Sequence, residues 1–132
     1  PCIIFFHEPR ELPAVLTGDR HQAVYGPDGR LFVSFRDKTP EGYASPTEGD
    51  WVGTWEALTA ARKGTATGQY RVRLAENHQG ADCADPAIEV LPGGTVVAIT
   101  YGHWRPGAAP YIIGVRFALG EIDRIRQTSS NR

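Results

Sequence analysis

The sequence contains no methionine, only two cysteines, and no apolar run approaching the roughly 20 residues of a membrane span. A surplus of charge of one sign is missing as well. Fourteen basic side chains stand against 15 acidic ones, which excludes the polycationic surfaces that hold nucleic acid or anionic membranes. Cys2 and Cys83 lie far apart, without metal-type spacing, and two cysteines do not define a disulfide framework. His7, His21, His78 and His103 show no ligand spacing either, and there is no Gly-rich phosphate loop or Gly-x-Ser-x-Gly elbow. No metal and no cofactor is therefore expected. The absent methionine, with Pro1 as the first residue, predicts a processed chain or a piece of a longer one. No secretory signal is visible, so the sequence is silent on export.

What is present is an ordinary globular composition over 132 residues, 41% hydrophobic and 22% charged, long enough for one domain with its own core. Fifteen glycines and ten prolines divide it into short segments rich in Val, Ile, Phe, Tyr and Trp, the pattern of β-strands. The predicted strands are Cys2–His7, Gln22–Tyr25, Leu31–Arg36, Trp51–Trp55, Tyr70–Leu74, Ala87–Leu91, Val96–Tyr101 and Tyr111–Ala118. Helix is predicted only at Glu56–Arg62 and Glu121–Arg126, both too short to organise a core.

Two turns are alike. Gly26-Pro27-Asp28-Gly29 precedes one strand and Leu91-Pro92-Gly93-Gly94 another, and superposing Gly29 on Gly94 gives an offset of 65 residues. Both read as tight hairpins whose glycine supplies positive φ. The same offset pairs Arg20 with Asp85 and Arg36 with Tyr101. A repeated β unit of this size points to propeller blades, approximately 20–75 and 84–119, with strand 2–7 left over from or for a neighbouring blade. A single β-sandwich or barrel that buries all eight strands is the alternative.

The segments Arg20–Asp37, Gly68–Leu74, Gly80–Pro86 and Leu91–Thr95 together resemble the C-terminal part of the sialidase-like proteins, six-bladed propellers of the exo-α-sialidase superfamily. The resemblance runs over roughly Arg20 to Asp123. It implies an all-β fold of two antiparallel four-stranded blades, a partial ring filling residues 1–132. The Ser-x-Asp-x-Gly-x-x-Trp box of such blades is absent, with Thr54-Trp55-Glu56-Ala57 in the place of a degenerate version.

By the same resemblance, arginines hold a substrate carboxylate through their planar donor forks, and a Tyr assisted by a Glu attacks the sugar. The nucleophile position, six residues before the Leu of the Leu-Pro-x-Gly hairpin, is Asp85 here. Arg20 or His21 occupies the equivalent start of an inner strand, and Arg36 ends a strand where one of the arginines belongs. Each residue also has a plain reading: a solvated strand end for Arg36, a polar loop for Arg20, a turn-forming Asp before Pro86. Arg20 and Asp85 fall at equivalent places in adjacent blades and are expected to approach each other. Such a pair favours the ionised carboxylate and makes Asp85 a poor general acid. Tyr101 and His103, with Trp104, form an aromatic and imidazole cluster suited to stacking on a sugar or equally to packing. Arg71 and Arg73 alternate with Tyr70, Val72 and Leu74 and read as a solvent face.

The expected function is that of a fragment or divergent member of the sialidase-like glycoside hydrolases, acting in the parent protein on terminal acidic sugars and inactive alone. The resemblance also implies secretion or a periplasmic location. The alternative is a non-catalytic carbohydrate-binding module that closes its ring by self-association. The expected partners are thus a glycan or acidic sugar, and further blades supplied by copies of the chain or by a parent, with neither nucleic acid nor membrane involved.

Overall fold

The computed structural model describes residues 13–38, 47–54, 56–58, 69–80 and 82–130. Within them the chain is mostly β. A 3₁₀ turn at Ala14–Leu16 is followed by β1 (Gly18–Tyr25), β2 (Leu31–Asp37), β3 (Thr47–Gly53) and β4 (Tyr70–Ala75), which pair in chain order as one antiparallel sheet. A second sheet holds β5 (Ala87–Val90), β6 (Thr95–Gly102) and β7 (Tyr111–Ala118), again in chain order, and α1 (Leu119–Ser130) follows. The predicted strand Cys2–His7, Trp55 and the 59–62 part of the predicted helix lie outside the described residues. Residues 56–58 do form a helical turn, and the Thr54 hydroxyl caps it by accepting the Ala57 N–H at 3.1 Å.

The 65-residue repeat extends to individual hydrogen bonds. Gly26 N–H donates to the Arg30 carbonyl and Gly29 N–H to Gly26; at the same offset, Leu91 N–H donates to Thr95 and Gly94 N–H to Leu91. Gly29 and Gly94 have φ of 79° and 83°, the left-handed conformation their turns require. The two turns meet, since a Cβ on Gly94 would lie 3.0 Å from the Pro27 ring. Strand register repeats as well. Gln22, Ala23, Val24 and Tyr25 pair with Ser34, Val33, Phe32 and Leu31, while Ala87, Ile88, Glu89 and Val90 pair with Ile99, Ala98, Val97 and Val96.

The core lies in two clusters divided by β2, whose side chains alternate between them. Leu31, Val33 and Phe35 pack with Leu16 and Ala57 from the two short helical turns. On the other face Phe32 and Val52 meet Val96 and Phe117 of the second sheet, with the Phe32 and Phe117 rings 6.1 Å apart. Tyr70, Val72 and Leu74 join this second cluster while Arg71 and Arg73 point away, in the predicted alternation. Arg71 is not simply solvated, however, because its guanidinium lies 3.4 Å from the buried Asp37 carboxylate.

The terminal helix differs from expectation. It runs to 12 residues and places Leu119 and Ile122 in the intersheet cluster. A polar clamp fixes it: Arg30 donates through both terminal nitrogens to Asp123, at 2.8 and 2.9 Å, and the Tyr70 hydroxyl donates to the same carboxylate at 2.8 Å. Asp28 accepts the third donor, Arg30 Nε, at 2.7 Å. Burial and the bond to Asp123 push the Tyr70 hydroxyl up to about 12. The clamp residues are scattered in sequence, so no short motif announces them.

Candidate functional site

The repeat places two chain irregularities side by side. In β1, Asp19 pairs with Arg36 and Gln22 with Ser34, leaving Arg20 and His21 opposite Phe35 alone. This is a β-bulge, a device that re-aims side chains at sheet ends. The second hairpin repeats it. Ala84 N–H donates to Tyr101 at 2.6 Å and the ladder resumes at Ala87 opposite Ile99, so Asp85 and Pro86 face Thr100. Two non-glycine residues with left-handed backbone stand at these bulges, Arg20 at φ 60° and Ala84 at φ 58°. Such conformations cost about 1–2 kcal/mol each and cluster at functional sites.

The bulge separates Arg20 from its neighbour. The His21 ring stacks on Phe35 with centroids 5.3 Å apart, and its Nε2 lies 2.9 Å from the Leu16 carbonyl, to which that nitrogen donates. His21 is thereby committed to the core side of β1. Arg20 turns the other way and forms an ion pair with Asp85 across the gap between the sheets. Arg20, Gln22, Asp85 and Pro86 line an open groove of about 370 Å³ at this junction.

Flanking the groove are two further polar groups. Arg36 grips Asp19 with a two-point contact, Nε and Nη2 each at 2.6 Å from a carboxylate oxygen, and Lys38 adds a third donor at 2.5 Å. These donors hold the Asp19 carboxyl well below the usual carboxylate range, the Arg36 hydrogen bond contributing most. The Arg36 guanidinium is pushed up in return, first by the Asp19 hydrogen bond and more weakly by the Asp85 charge. On the other side the Tyr101 hydroxyl donates to Asp82 at 3.1 Å. Loss of solvent and the Asp82 carboxylate raise its pKa, with a further contribution from Asp85. This direction is opposite to the shift that activates a nucleophile.

His103 lies apart from this group. Its N–H donates to Asn77 Oδ1 at 3.0 Å, its carbonyl accepts from His78, and its Nδ1 sits 3.3 Å from the Ala108 carbonyl. These bonds stitch the loop after β4 to the end of β6. Trp104 packs over Gly102, where a Cβ would come within 2.7 Å of the indole, and donates to the Tyr111 carbonyl at 2.9 Å. Of the six residues singled out from sequence, Arg20 and Asp85 meet in the groove and Arg36 and Tyr101 flank it, whereas His21 and His103 face other surroundings. Gln22, Pro86, Asp19 and Asp82 escaped sequence reasoning. Asp19 had a usable signal: continuing β1 backward through a bulge sets it opposite Arg36.

Cys83 is a fully buried thiol packed against Gly102. Among the described residues no three His, Cys, Asp or Glu side chains converge to hold a metal ion, and no helix is long and apolar enough to cross a membrane. Compared with known protein families, with curated proteins and with solved structures, the chain matches none of them.

Proposed function

We propose that this chain is a two-blade segment of a sialidase-like propeller that binds a glycan in the Arg20–Asp85 groove and does not hydrolyse it alone. In this reading hydrolysis belongs to a parent glycoside hydrolase, which supplies the acid and the remaining arginines. The observation that carries it is the pair of register-matched hairpins whose bulges, 65 residues apart, deliver Arg20 and Asp85 to one groove. Convergence of repeated strand ends on a shared polar groove is how radial β repeats build ligand sites. The absence of hydrolysis is supported by the nucleophile position, where Asp85, paired with Arg20, stands in place of the Tyr that the resemblance calls for. The test is a glycan array on the purified chain, beside a fluorogenic sialoside assay. Retained glycan with no released fluorophore is expected; an empty array, or fluorophore release that Asp85→Ala abolishes, overturns the proposal.

Self-association into a closed ring is the second reading, and one observation favours it. Ile99 and Ile112 are 45% and 69% exposed on the outer face of the second sheet. By the repeat that face corresponds to the Phe32 face of the first sheet, which the second sheet covers. Light scattering at micromolar concentration separates the two readings, a trimer supporting the ring and a monomer removing it.

A further inference from the structure

Resting on the groove reading above, we infer that the Arg20–Asp85 groove is built for a neutral sugar presenting a vicinal diol, in place of the acidic sugar that the sequence resemblance implies. Recognition of an acidic sugar needs a guanidinium with an open fork. Here Arg36 spends its fork on Asp19 in a two-point contact, and one terminal nitrogen of Arg20 is engaged by the Asp85 carboxylate, which leaves single N–H donors and no free pair for a second carboxylate. The side chains of the cluster balance: Arg20, Arg36 and Lys38 against Asp19, Asp82 and Asp85. A carboxylate arriving in the groove meets no net positive field. It also meets the Asp85 side chain, the most exposed member of the pair at 68%. Like charges at that distance repel, and displacing Asp85 from Arg20 returns only the interaction already present.

A neutral diol avoids both costs. The exposed Asp85 carboxylate has lone pairs to accept two adjacent hydroxyls, and hydrogen bonds to a charged acceptor are the stronger kind. Arg20 is 37% exposed, leaving guanidinium N–H groups at the groove to donate to a hydroxyl oxygen. The Gln22 side chain is exposed and makes no hydrogen bond among the described residues, so its amide is available as donor and acceptor. The left-handed backbone at Arg20 and Ala84 sets the direction in which the chain presents Arg20 and the adjoining Asp85.

Titration of the isotope-labelled chain with methyl β-galactoside and with the methyl glycoside of sialic acid, followed by amide chemical shifts, tests this. The galactoside is expected to shift the amides of Gln22 and Asp85 and to bind at least about tenfold more tightly than the sialoside. Raising salt should leave its affinity unchanged. Asp85→Asn should weaken the galactoside by about tenfold and strengthen the sialoside, because it opens the Arg20 fork. Gln22→Ala, on the surface and outside the ion pair, should weaken the galactoside alone. A sialoside that binds the unaltered chain more tightly overturns the inference and leaves glycan binding standing. Galactoside binding indifferent to both substitutions also overturns it. If neither glycoside shifts any amide and the array is empty as well, the inference and the proposed function fall together.

Discussion

The two hairpins β1–β2 and β5–β6 share a register, a turn and a bulge, yet their second strands live in different surroundings. From Leu31 to Phe35 every residue of β2 is buried, because the helical turns cover one face and the second sheet the other. In β6 burial alternates, with Val96, Ala98 and Thr100 inside and Ile99 exposed. The contrast is sharpest at the equivalent positions Ser34 and Ile99: the serine is fully buried and the isoleucine lies 45% exposed. Hydrophobicity alone would assign them the other way round. Backbone pattern is thus set by the turn and the bulge, while burial is set by what stacks on each face.

The largest way to break this comparison is to empty the equivalent sites Phe32 and Val97. Phe32 is fully buried between the sheets, against Phe117. Phe32→Ala should cost about 3–5 kcal/mol, measured by denaturant unfolding. Val97, half-buried on the outer face, should lose about 1 kcal/mol or less as alanine. Equal losses at the two positions would show that the outer face of the second sheet is covered in solution as thoroughly as its counterpart.

A smaller effect is expected at the turns. Gly29 and Gly94 share a left-handed backbone, but open space surrounds a Cβ at Gly29 whereas the Pro27 ring stands at 3.0 Å from one at Gly94. Gly29→Ala should cost about 1 kcal/mol from backbone strain alone, and Gly94→Ala about 2 kcal/mol, since the adjoining turn must also shift. Thermal unfolding of the two variants measures the difference. No difference would mean that the two turns do not press on each other.

Legibility of the fold in the sequence follows the same division. Six of the predicted strands are present close to their predicted bounds, because short runs of β-branched and aromatic residues bounded by Gly or Pro are local signals. The predicted Trp51–Trp55 meets β3 only at residues 51–53, since residues 47–50 have no strand-like composition. The repeat was readable for the same reason: its turns carry their glycines at fixed positions. What could not be read was the assembly of distant polar groups. The Arg30–Asp123–Tyr70 clamp joins residues from two strands and the terminal helix, and that helix gains its place from Leu119 and Ile122 reaching the intersheet core. At the site, the offset aligned Arg20 with Asp85, but their approach depends on both bulges. The first of these came only from strand pairing, because Gly18–His21 carries no strand-like composition. His21 shows the limit best: a one-residue step through the bulge sends it to Phe35 instead of the groove.

The smallest expected difference is chemical, and it separates the hairpins by pH. At the strand pair next to the bulge, the first hairpin has Asp19 opposite Arg36, and the second has Ala84 opposite Tyr101. Only the first therefore carries a carboxylate whose charge closes the ladder end. Its folded pKa lies below the ordinary 3.8, so the unfolded chain takes up the proton first as pH falls. The stabilisation is present in full above about pH 4 to 5 and is lost as pH drops from there toward the folded pKa. The pair is part-exposed, so solvent screening keeps the effect small. Amide exchange should therefore accelerate around Asp19 and Arg36 between about pH 4 and 2 by more than around Ala84 and Tyr101, after correction for intrinsic rates. Asp19→Asn, which cannot titrate, should bring the first hairpin to the pH response of the second. If that variant leaves the acid sensitivity in place, the charge on Asp19 is not what distinguishes the two ladder ends.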